Sequence, residues 1–375
     1  MKKSIYAAAS LAVAALTLAA CGAAPDDTAT DGGTSAGGGE TSAAADNADF
    51  TGCMISDEGG FDDASFNESG YEGLQRAETE LGITIQSAES ADPGQYVGNV
   101  DAMVQADCAL VIGVGYALED AVQAGAEANP DINFALVDSA FSDTDFNPVS
   151  LDNAKPLLFN TQEAAFLAGY LAGGMSKTGV VATYGGQPFP SVTIFMDGFV
   201  DGVAAYNEAQ GTDVQVLGWD KEAQNGSMTG DFTNTDNGYN TTTQFIEQGN
   251  ADIILPVAGP VGAGSLQAAS EHEGVSVIWV DSDGYEKPSN QQYQSLILTS
   301  VIKLIGNSVF DTIDSAVNDQ FDATPYVGTL ENGGVDLAPY HDFDGQVPQE
   351  LKDEIEALRA QIISGELVVE SVSSN

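Results

Sequence analysis

The residues best suited to chemistry form one acidic loop, Asp57-Glu58-Gly59-Gly60-Phe61-Asp62-Asp63-Ala64-Ser65-Phe66-Asn67. An apolar run leads into this loop and a helical pattern follows it, and such strand-to-helix loops commonly bind ligands in α/β proteins. The loop lacks the glycine spacing of a phosphate cradle. Its carboxylates, amide and rings favour a neutral, flat, hydroxyl-rich ligand. An acidic surface turn that caps the next helix is the alternative.

Strand-like runs alternate with helical patterns over residues 50–138, and the alternation restarts over residues 162–283. Repeated alternation of this kind predicts parallel sheets, here in two α/β units of similar size with a cleft between the carboxyl ends of their strands. A late hairpin is predicted from 326–330 and 334–337. Polar or glycine residues recur at the predicted strand ends in both halves, which favours a shared site: Asp57, Asp138, Gly185, Gly186, Gly259, Asp281 and Asp283.

The chain is strongly acidic, with 56 Asp and Glu against 10 Lys and Arg, for a formal net charge of −46. A surface of this charge repels nucleic acid and other polyanions, so no nucleic-acid partner is expected. It also disfavours phosphorylated ligands. Solubility, or a salty or acidic habitat, accounts for the charge itself.

The N-terminus predicts export. Lys2 and Lys3 precede an apolar stretch that ends in Leu18-Ala-Ala-Cys21, so residues 1–21 are predicted to be a signal peptide with a lipobox, acylated on Cys21. An ordinary cleaved signal with an incidental cysteine is the alternative. Residues 22–49 are rich in Gly, Ala, Ser, Thr and Asp and predict a flexible linker. No later stretch is apolar enough to span a bilayer, so the lipid is the predicted membrane attachment.

Two further cysteines lie in predicted strands of the first unit. Cys53 lies in the first strand and Cys108 opens the third. In a sheet of order 2-1-3 these strands are neighbours, and the exported setting permits a disulfide. Two buried free thiols are the alternative.

The sequence favours binding over catalysis. An enzyme needs a nucleophile, a tuned acid or base, or a metal, and the two histidines, His272 and His341, lie outside the strand-end loops. Neither a His-rich metal motif nor a G-x-S-x-G elbow occurs, so no metal or cofactor is predicted. Acidic pairs such as Asp281 and Asp283 remain a weaker alternative as a glycosidase or cation site. Lys303 is a candidate donor to a ligand hydroxyl because basic residues are scarce.

The strand-end motifs, taken in order, resemble the basic membrane protein family of substrate-binding lipoproteins, which includes the PnrA-like purine nucleoside receptors of ABC transporters. The similarity covers about residues 50–345. The motifs are Asp57-x-Gly-Gly-Phe-Asp-Asp-x-Ser-Phe-Asn67, Gly113-Val-Gly115, Val137-Asp138, Phe166-Leu-Ala-Gly-Tyr-Leu-Ala172, Ala258-Gly259-x-x-Gly262, Val280-Asp-Ser-Asp283 and Ser300-Val-Ile-Lys303.

The resemblance implies a type I periplasmic-binding-protein fold, in which two doubly wound lobes are joined by a three-strand hinge. The expected first lobe comprises residues 50–157 and 286–321, and the second comprises 158–285 and 322–346. Residues 347–375 are expected to form a C-terminal helix and tail.

The resemblance also implies where a nucleoside base would bind. Phe66 in the first lobe and Phe232 in the second would stack on the base. Asn67 and Asp138 would hydrogen-bond it, and Asp57 resembles a further polar contact of the first lobe.

The ribose would be held by Gly259, Asp281 and Lys303. Two departures from the family pattern stand out here. Residues 220–240 are rich in Asn, Thr and Gly, so Phe189 is a second candidate for the ring on the second lobe. Pro260 also follows Gly259, where a small residue is more usual.

The implied protein is a monomeric, lipid-anchored receptor on the extracytoplasmic face of the cell membrane. It would bind a nucleoside, with a purine favoured, and deliver it to separate ABC permease and ATPase subunits. Two alternatives use the same fold: a receptor for a sugar or autoinducer-like molecule, and a surface adhesin or signalling lipoprotein.

Overall fold

Strands and helices alternate along the computed structural model, which describes residues 47–145 and 147–374. The strands are β1 (Asn47–Ser56), β2 (Ile83–Ala88), β3 (Leu110–Val114), β4 (Asn133–Val137), β5 (Ala154–Phe159), β6 (Val180–Gly185), β7 (Gln215–Leu217), β8 (Trp219–Asp220), β9 (Asn225–Gly226), β10 (Ile253–Val257), β11 (Ser276–Asp281), β12 (Ile297–Lys303), β13 (Tyr326–Gly328) and β14 (Val335–Leu337). The helices are α1 (Phe66–Leu81), α2 (Tyr96–Gln105), α3 (Glu119–Ala128), α4 (Thr161–Met175), α5 (Pro190–Gln210), α6 (Thr235–Glu247), α7 (Gly262–Ser270), α8 (Ile305–Val317) and α9 (Gln349–Ile363).

The longer strands form two sheets, each the centre of one lobe. The first sheet has the order β13-β5-β4-β3-β1-β2 and the second has the order β14-β12-β11-β10-β6-β7. The pairs of β1 with its two neighbours are parallel, as are those of β10, whereas β14 pairs antiparallel with β12. Strands β3 and β10 are buried along their whole length, as is typical of parallel sheets covered by helices on both faces. The predicted two-lobed α/β fold is confirmed.

Glycines let the covering helices approach closely. In the first lobe, a Cβ on Gly73 of α1 would clash with the backbone of Gly306 in α8. In the second lobe, a Cβ on Gly202 of α5 would clash with the carbonyl oxygen of Phe166 in α4. No side chain fits at such contacts, so glycine is required. The first contact fixes α1, whose first residue is Phe66.

The described chain crosses between the lobes at three places. The first crossing joins β5 to α4 at Asn160, and the second joins β12 to α8 at Leu304. The third joins β13 to β14 through residues 329–334. The crossings hydrogen-bond to one another, because the Asn160 amide donates to the Gly328 carbonyl at 2.8 Å and the Leu304 amide to the Gly334 carbonyl at 2.9 Å. These three segments form the hinge between the lobes.

The strand pairing corrects the lobe boundaries expected from the sequence. Strand β12 was expected in the first lobe, within residues 286–321, but it pairs with β11 in the second sheet. Strand β13 was expected in the second lobe, within residues 322–346, but it pairs with β5 in the first sheet. The predicted hairpin of 326–330 with 334–337 is wrong for the same reason, since β13 and β14 belong to different sheets.

A disulfide joins Cys53 to Cys108, with Cα atoms 6.0 Å apart. The two residues lie at neighbouring strands, because β1 pairs with β3 and Gly52 lies opposite Leu110. Both cysteines are buried. This is the pairing that the 2-1-3 sheet order predicted, rather than two free thiols.

The predicted signal peptide, the acylated Cys21 and nearly all of the linker lie outside the described residues. Strand β1 begins at Asn47, so the ordered sheet starts within the predicted linker 22–49. At the other end, α9 confirms the C-terminal helix. Within residues 47–145 and 147–374, no helix has both the length and the apolar character needed to cross a membrane.

Candidate functional site

A cleft that is partly open to solvent lies where the carboxyl ends of the two sheets meet. From the first lobe, Asp57 follows β1 and Asp138 follows β4. From the second lobe, Gly259 follows β10, Asp281 ends β11 and Lys303 ends β12. Parallel strands deliver their carboxyl ends to the same edge of a sheet, so residues far apart in sequence reach one cleft.

All eight predicted ligand-contacting residues line this cleft: Asp57, Phe66, Asn67, Asp138, Phe232, Gly259, Asp281 and Lys303. The structure therefore brings the predicted set together, and the role of each residue in ligand binding stays a prediction. Phe189, the second candidate for the ring of the second lobe, and Pro260, one of the two departures from the family pattern, also line the cleft.

Lys303 joins the two lobes in a buried ion-pair network. Its Nζ pairs with Asp138 of the first lobe and lies 3.1 Å from Oδ1 of Asp281 in the second. Burial alone would lower the pKa of Lys303, but the charges of Asp138 and Asp281 outweigh burial and raise it, so the side chain stays an ammonium ion. Its Nζ also lies 4.7 Å from the ring centroid of Phe66 and 5.1 Å from that of Phe195.

Asp138 and Asp281 adopt left-handed backbone conformations, with φ of 62° and 68°. Non-glycine residues seldom adopt positive φ, and strain of this kind clusters at functional sites. Each residue stands at the end of its strand, where the chain turns sharply past the cleft. The pair is thus held at the cleft by backbone geometry as well as by Lys303.

Asp63 organises the first turn of α1. Its Oδ1 accepts hydrogen bonds from the amides of Ser65 and Glu68, both at 3.0 Å, and its Oδ2 accepts from the amide of Asn67 at 2.9 Å. Burial raises the pKa of Asp63 to about 6, against the opposing effect of these amides. In the sequence Asp63 stands out only as one residue of the acidic loop, and its contacts with the backbone amides explain how Phe66 and Asn67 are positioned.

Asn67 is buried, and the nitrogen of its side-chain amide is hydrogen-bonded whereas the oxygen is not. Its Nδ2 donates to Oδ1 of Asp57 at 2.9 Å and to Oδ2 of Asp63 at 3.2 Å. Its Oδ1 has no hydrogen-bond partner among the described residues. A buried acceptor left unpaired costs about 1–3 kcal/mol, so Oδ1 is suited to accept a hydrogen bond from a ligand N–H or O–H group.

Aromatic rings from both lobes line the cleft. The ring centroids of Tyr116 in the first lobe and Phe189 in the second lie 5.2 Å apart, and those of Phe189 and Phe232 lie 5.8 Å apart. A Cβ on Gly186 would clash with the ring of Phe232, so the Gly185-Gly186 strand end makes room for this ring. Tyr116 was not predicted, because its sequence context is an ordinary helix start.

The lobes contact each other beside the cleft, so the structure is a closed form. The Ser65 hydroxyl donates to Oδ2 of Asp281 at 2.7 Å, and the Ser282 hydroxyl donates to the Ala64 carbonyl at 3.1 Å. Lys287 of the second lobe also pairs with Glu68 and Glu72 on α1 of the first lobe, at 3.2 and 3.0 Å.

Asp283, considered with Asp281 as a possible cation or catalytic pair, lies apart from the cleft lining. Its Oδ2 lies 2.7 Å from Nε2 of His341, whose ring stacks on Tyr285 with centroids 4.0 Å apart. Asp283, His341 and Glu286 are close enough to hold a metal ion. The pairing of Asp283 with Asp281 at one site is therefore not formed.

Asp57 makes the stability of the protein depend on pH. Burial raises its pKa to about 8, well above its value near 4 in an unfolded chain. The stabilisation from the protonated form is complete below pH 4 and is lost as pH rises through 8.

We predict that Asp57→Asn, which cannot ionise, is more stable relative to wild type at high pH than at low pH. The difference in the free energy of unfolding between the variant and wild type should be about 3 kcal/mol more favourable to the variant at pH 8 than at pH 5, measured by urea unfolding. Asp101→Asn, at an exposed carboxylate, serves as the control, and a pH-independent difference for Asp57→Asn would contradict the prediction.

The chain matches a family model described as "ABC transporter substrate-binding protein PnrA-like" over residues 50–373. The ABC transporter nucleoside-binding protein BmpA of Lactococcus lactis is 30% identical, over 86% of this chain and 90% of its own. The CD4+ T-cell-stimulating antigen of Listeria monocytogenes is also 30% identical, over 98% of this chain and 99% of its own.

Solved structures agree on the fold. An ABC transporter solute-binding protein from Aeropyrum pernix K1 superimposes with a TM-score of 0.75 at 23% identity, covering 86% of this chain and 94% of its own. At this identity the likeness concerns the fold alone, and it supports the type I periplasmic arrangement of two lobes. The family match over residues 50–373 shows that the chain belongs to the PnrA-like family of ABC transporter substrate-binding proteins.

Proposed function

We propose that this protein captures a nucleoside, with a purine favoured, in the interlobe cleft and presents it to an ABC permease. The observation that carries the proposal is the composition of the cleft, which combines aromatic rings from both lobes with a buried, unpaired amide oxygen and a charged Lys–Asp network. A nucleoside has parts that match each: a flat base, ring N–H groups and ribose hydroxyls.

The base would bind among the rings. Phe66 lies on the first lobe and Phe232 on the second, and stacking on an aromatic ring tolerates any base. Discrimination between bases then falls to the polar edge of the cleft. There, Oδ1 of Asn67 would accept from a base N–H group, with Asp138 as its neighbour on the first lobe.

The ribose would bind at the strand ends of the second lobe. Carboxylate oxygens accept hydrogen bonds from hydroxyl groups, and an ammonium group donates to them. Asp281 and Lys303 supply these two functions side by side. Gly259 adopts a φ of 53° directly after β10, which favours glycine and leaves the backbone open to a hydroxyl group.

Membership of the family makes the chain the extracytoplasmic binding component of a transporter whose permease and ATPase are separate proteins. We further propose that acylated Cys21 holds a monomeric receptor at the membrane through the linker that precedes β1. Closure of the two lobes about the hinge would bury the ligand and form the surface that the permease recognises.

A receptor for a free sugar is the second candidate, because carboxylates at the strand ends suit hydroxyl groups in any sugar. The rings from both lobes favour the nucleoside, since a ribose alone leaves the base region unfilled. The nucleoside-binding relative from Lactococcus lactis supports the same choice.

We predict one-to-one binding of adenosine, guanosine or inosine by the chain without residues 1–21, measured by isothermal titration calorimetry after unfolding and refolding to remove carried-over ligand. Ribose should give no heat, because it fills only the second-lobe half of the cleft. Cytidine and uridine test whether purines are preferred. Binding of ribose or a hexose without binding of any nucleoside would support the sugar receptor. A folded sample that binds none of these compounds would contradict both the nucleoside receptor and the sugar receptor.

Substitution of Phe66 tests the stacking role. Phe66→Leu removes the ring and keeps apolar bulk, whereas Phe66→Tyr keeps the ring. Because stacking on an aromatic side chain is worth about 1–3 kcal/mol, we expect nucleoside affinity to fall roughly 5- to 150-fold in the Leu variant and to change little in the Tyr variant, by calorimetry. Equal affinities for the two variants would contradict a stacking role.

Substitution of Cys21 tests the anchor. In cells that make the full chain, Cys21→Ala should move the protein from the membrane fraction to the medium or the soluble fraction, because one residue carries the lipid. The fractionation is followed with an antibody, and Thr28→Ala, in the predicted linker, provides a control that leaves both the lipobox and the disulfide intact. Retention of the Cys21→Ala protein at the membrane would disprove a lipid anchor.

A further inference from the structure

Asp57 is a partly buried carboxyl group without a cation of its own. Among the described residues that line the cleft, the one cation is Lys303, and its Nζ forms ion pairs with Asp138 and Asp281. The recorded hydrogen bond to the Asp57 side chain comes from the neutral amide of Asn67, at 2.9 Å, and reaches Oδ1. An ionised Asp57 would therefore be a partly buried negative charge with little to stabilise it, which is costly where contact with water is restricted.

The groups around Asp57 make its ionisation harder still. Glu58 in the same loop, Asp63 before α1 and Asp138 after β4 all act on it as negative charges. The phenol of Tyr96, on α2, also faces Asp57, and burial raises the pKa of Tyr96, so it stays neutral and offers no charge. Burial is the largest effect and, with these neighbours, raises the pKa of Asp57 to about 8.

Three other carboxyl groups of the cleft have more partners than Asp57. Asp63 accepts three backbone amide hydrogen bonds. Asp281 accepts from Ser65 and pairs with Lys303, and Asp138 pairs with Lys303. Hydrogen bonds and nearby cations favour the charged form of a carboxyl group. Among the described residues, these three carboxyl groups each have an ammonium partner or several hydrogen-bond donors, whereas Asp57 has the single amide of Asn67.

The free oxygen of Asp57 has a defined position. A Cβ on Gly115 would clash with Oδ2 of Asp57, so this oxygen lies directly against the backbone at Gly115. Gly115 has a φ of 119°, follows β3 and lines the cleft as well. The absent side chain at Gly115 therefore makes the space that Oδ2 and its proton occupy.

We infer that Asp57 acts as a neutral carboxylic acid in the closed form, accepting from Asn67 through Oδ1 and donating its Oδ2 proton to an acceptor atom of the ligand, so that capture takes up a proton from solution. The inference rests on the proposed nucleoside function, because a ring nitrogen or carbonyl oxygen of the base supplies the acceptor. It assigns Asp57 a part in specificity: ligands that lack an acceptor at this position lose the hydrogen bond.

The proton moves when the lobes close. In an open cleft water reaches Asp57, and a hydrated aspartate has a pKa near 4, so the group is ionised at neutral pH. Closure brings the second lobe over the site and excludes water, which disfavours the charged form. The proton comes from the buffer, and no other bond is made or broken. Between the pKa of the open form and the pKa of the closed complex, affinity should fall by up to tenfold for each pH unit, and above the higher pKa it should level off.

Calorimetry at pH 7 in two buffers of different ionisation enthalpy, phosphate and Tris, counts the proton. We use the chain without residues 1–21 and adenosine, whose base does not ionise between pH 6 and 9, with inosine between pH 6 and 8 as a second probe. We expect wild type to take up close to one proton on binding at pH 7 and to lose roughly tenfold in affinity between pH 6 and 7, with a much smaller loss between pH 8 and 9.

Asp57→Asn is the decisive variant. Its amide keeps an oxygen acceptor for Asn67 and offers an N–H donor where the Oδ2 proton stood, but it cannot titrate. We expect this variant to bind with heat independent of the buffer and with one affinity from pH 6 to 9. Asp57→Ala should bind weakly at every pH, and Asp101→Asn, at an exposed carboxylate, should behave as wild type.

Three results would overturn the inference. If wild type binds with heat that does not depend on the buffer and with an affinity that does not depend on pH, no proton is taken up. That result would contradict this inference and leave the proposed nucleoside receptor unaffected. An unchanged pH profile in Asp57→Asn would assign the proton to another group. Failure of folded wild type to bind any nucleoside would defeat the proposed function and, with it, the acceptor that this inference requires.

Discussion

The ammonium group of Lys303 is the constraint on which the cleft depends. It lies between Asp138 of one lobe and Asp281 of the other, with all three side chains buried. Removing one partner of a buried charge pair commonly costs 3–5 kcal/mol, because the remaining charge is left uncompensated. The two lobes are thus held in register by a charge that neither could bury alone. The aromatic rings and the acidic loop are arranged around this point.

The cleft offers two kinds of contact: apolar contacts that tolerate variation in the ligand and polar contacts that do not. In the proposed binding mode, rings such as Phe66 and Phe232 provide contact area to any flat group, whereas the polar atoms of Asn67 and Asp57 require particular partners. Failing to satisfy buried polar groups penalises a wrong ligand more than a missing apolar contact does. The proposed selectivity therefore depends on the short stretch between β1 and α1, which Asp63 holds in place through the backbone amides of α1.

Much of the fold and of the cleft could be predicted from the sequence, because parallel strands are recognisable as short apolar runs. The polar residues that follow such strands lie together at one edge of the sheet. Asp138 and Asp281 were predicted on that ground. The sequence could not predict to which lobe β12 and β13 belong. The sequence of a single strand looks the same in either sheet, and only pairing with residues distant in the chain decides. Tyr116 and Phe195 were missed because an aromatic residue at the start or on the face of a helix is usually a core residue. The capping role of Asp63 was equally hidden, because it depends on the path of the loop.

The route of the chain through the hinge also sets the order in which the protein can assemble. Strand β13 completes the edge of the first sheet, but residues 160–325 separate it from the rest of that sheet. A polypeptide that leaves the cytoplasm N-terminus first therefore exposes the edge of β5 until almost the whole of the second lobe has emerged. Unpaired strand edges invite aggregation, and pairings distant in sequence form slowly. The three crossings that permit hinge motion in the finished receptor thus make its maturation outside the cytoplasm a single, late event.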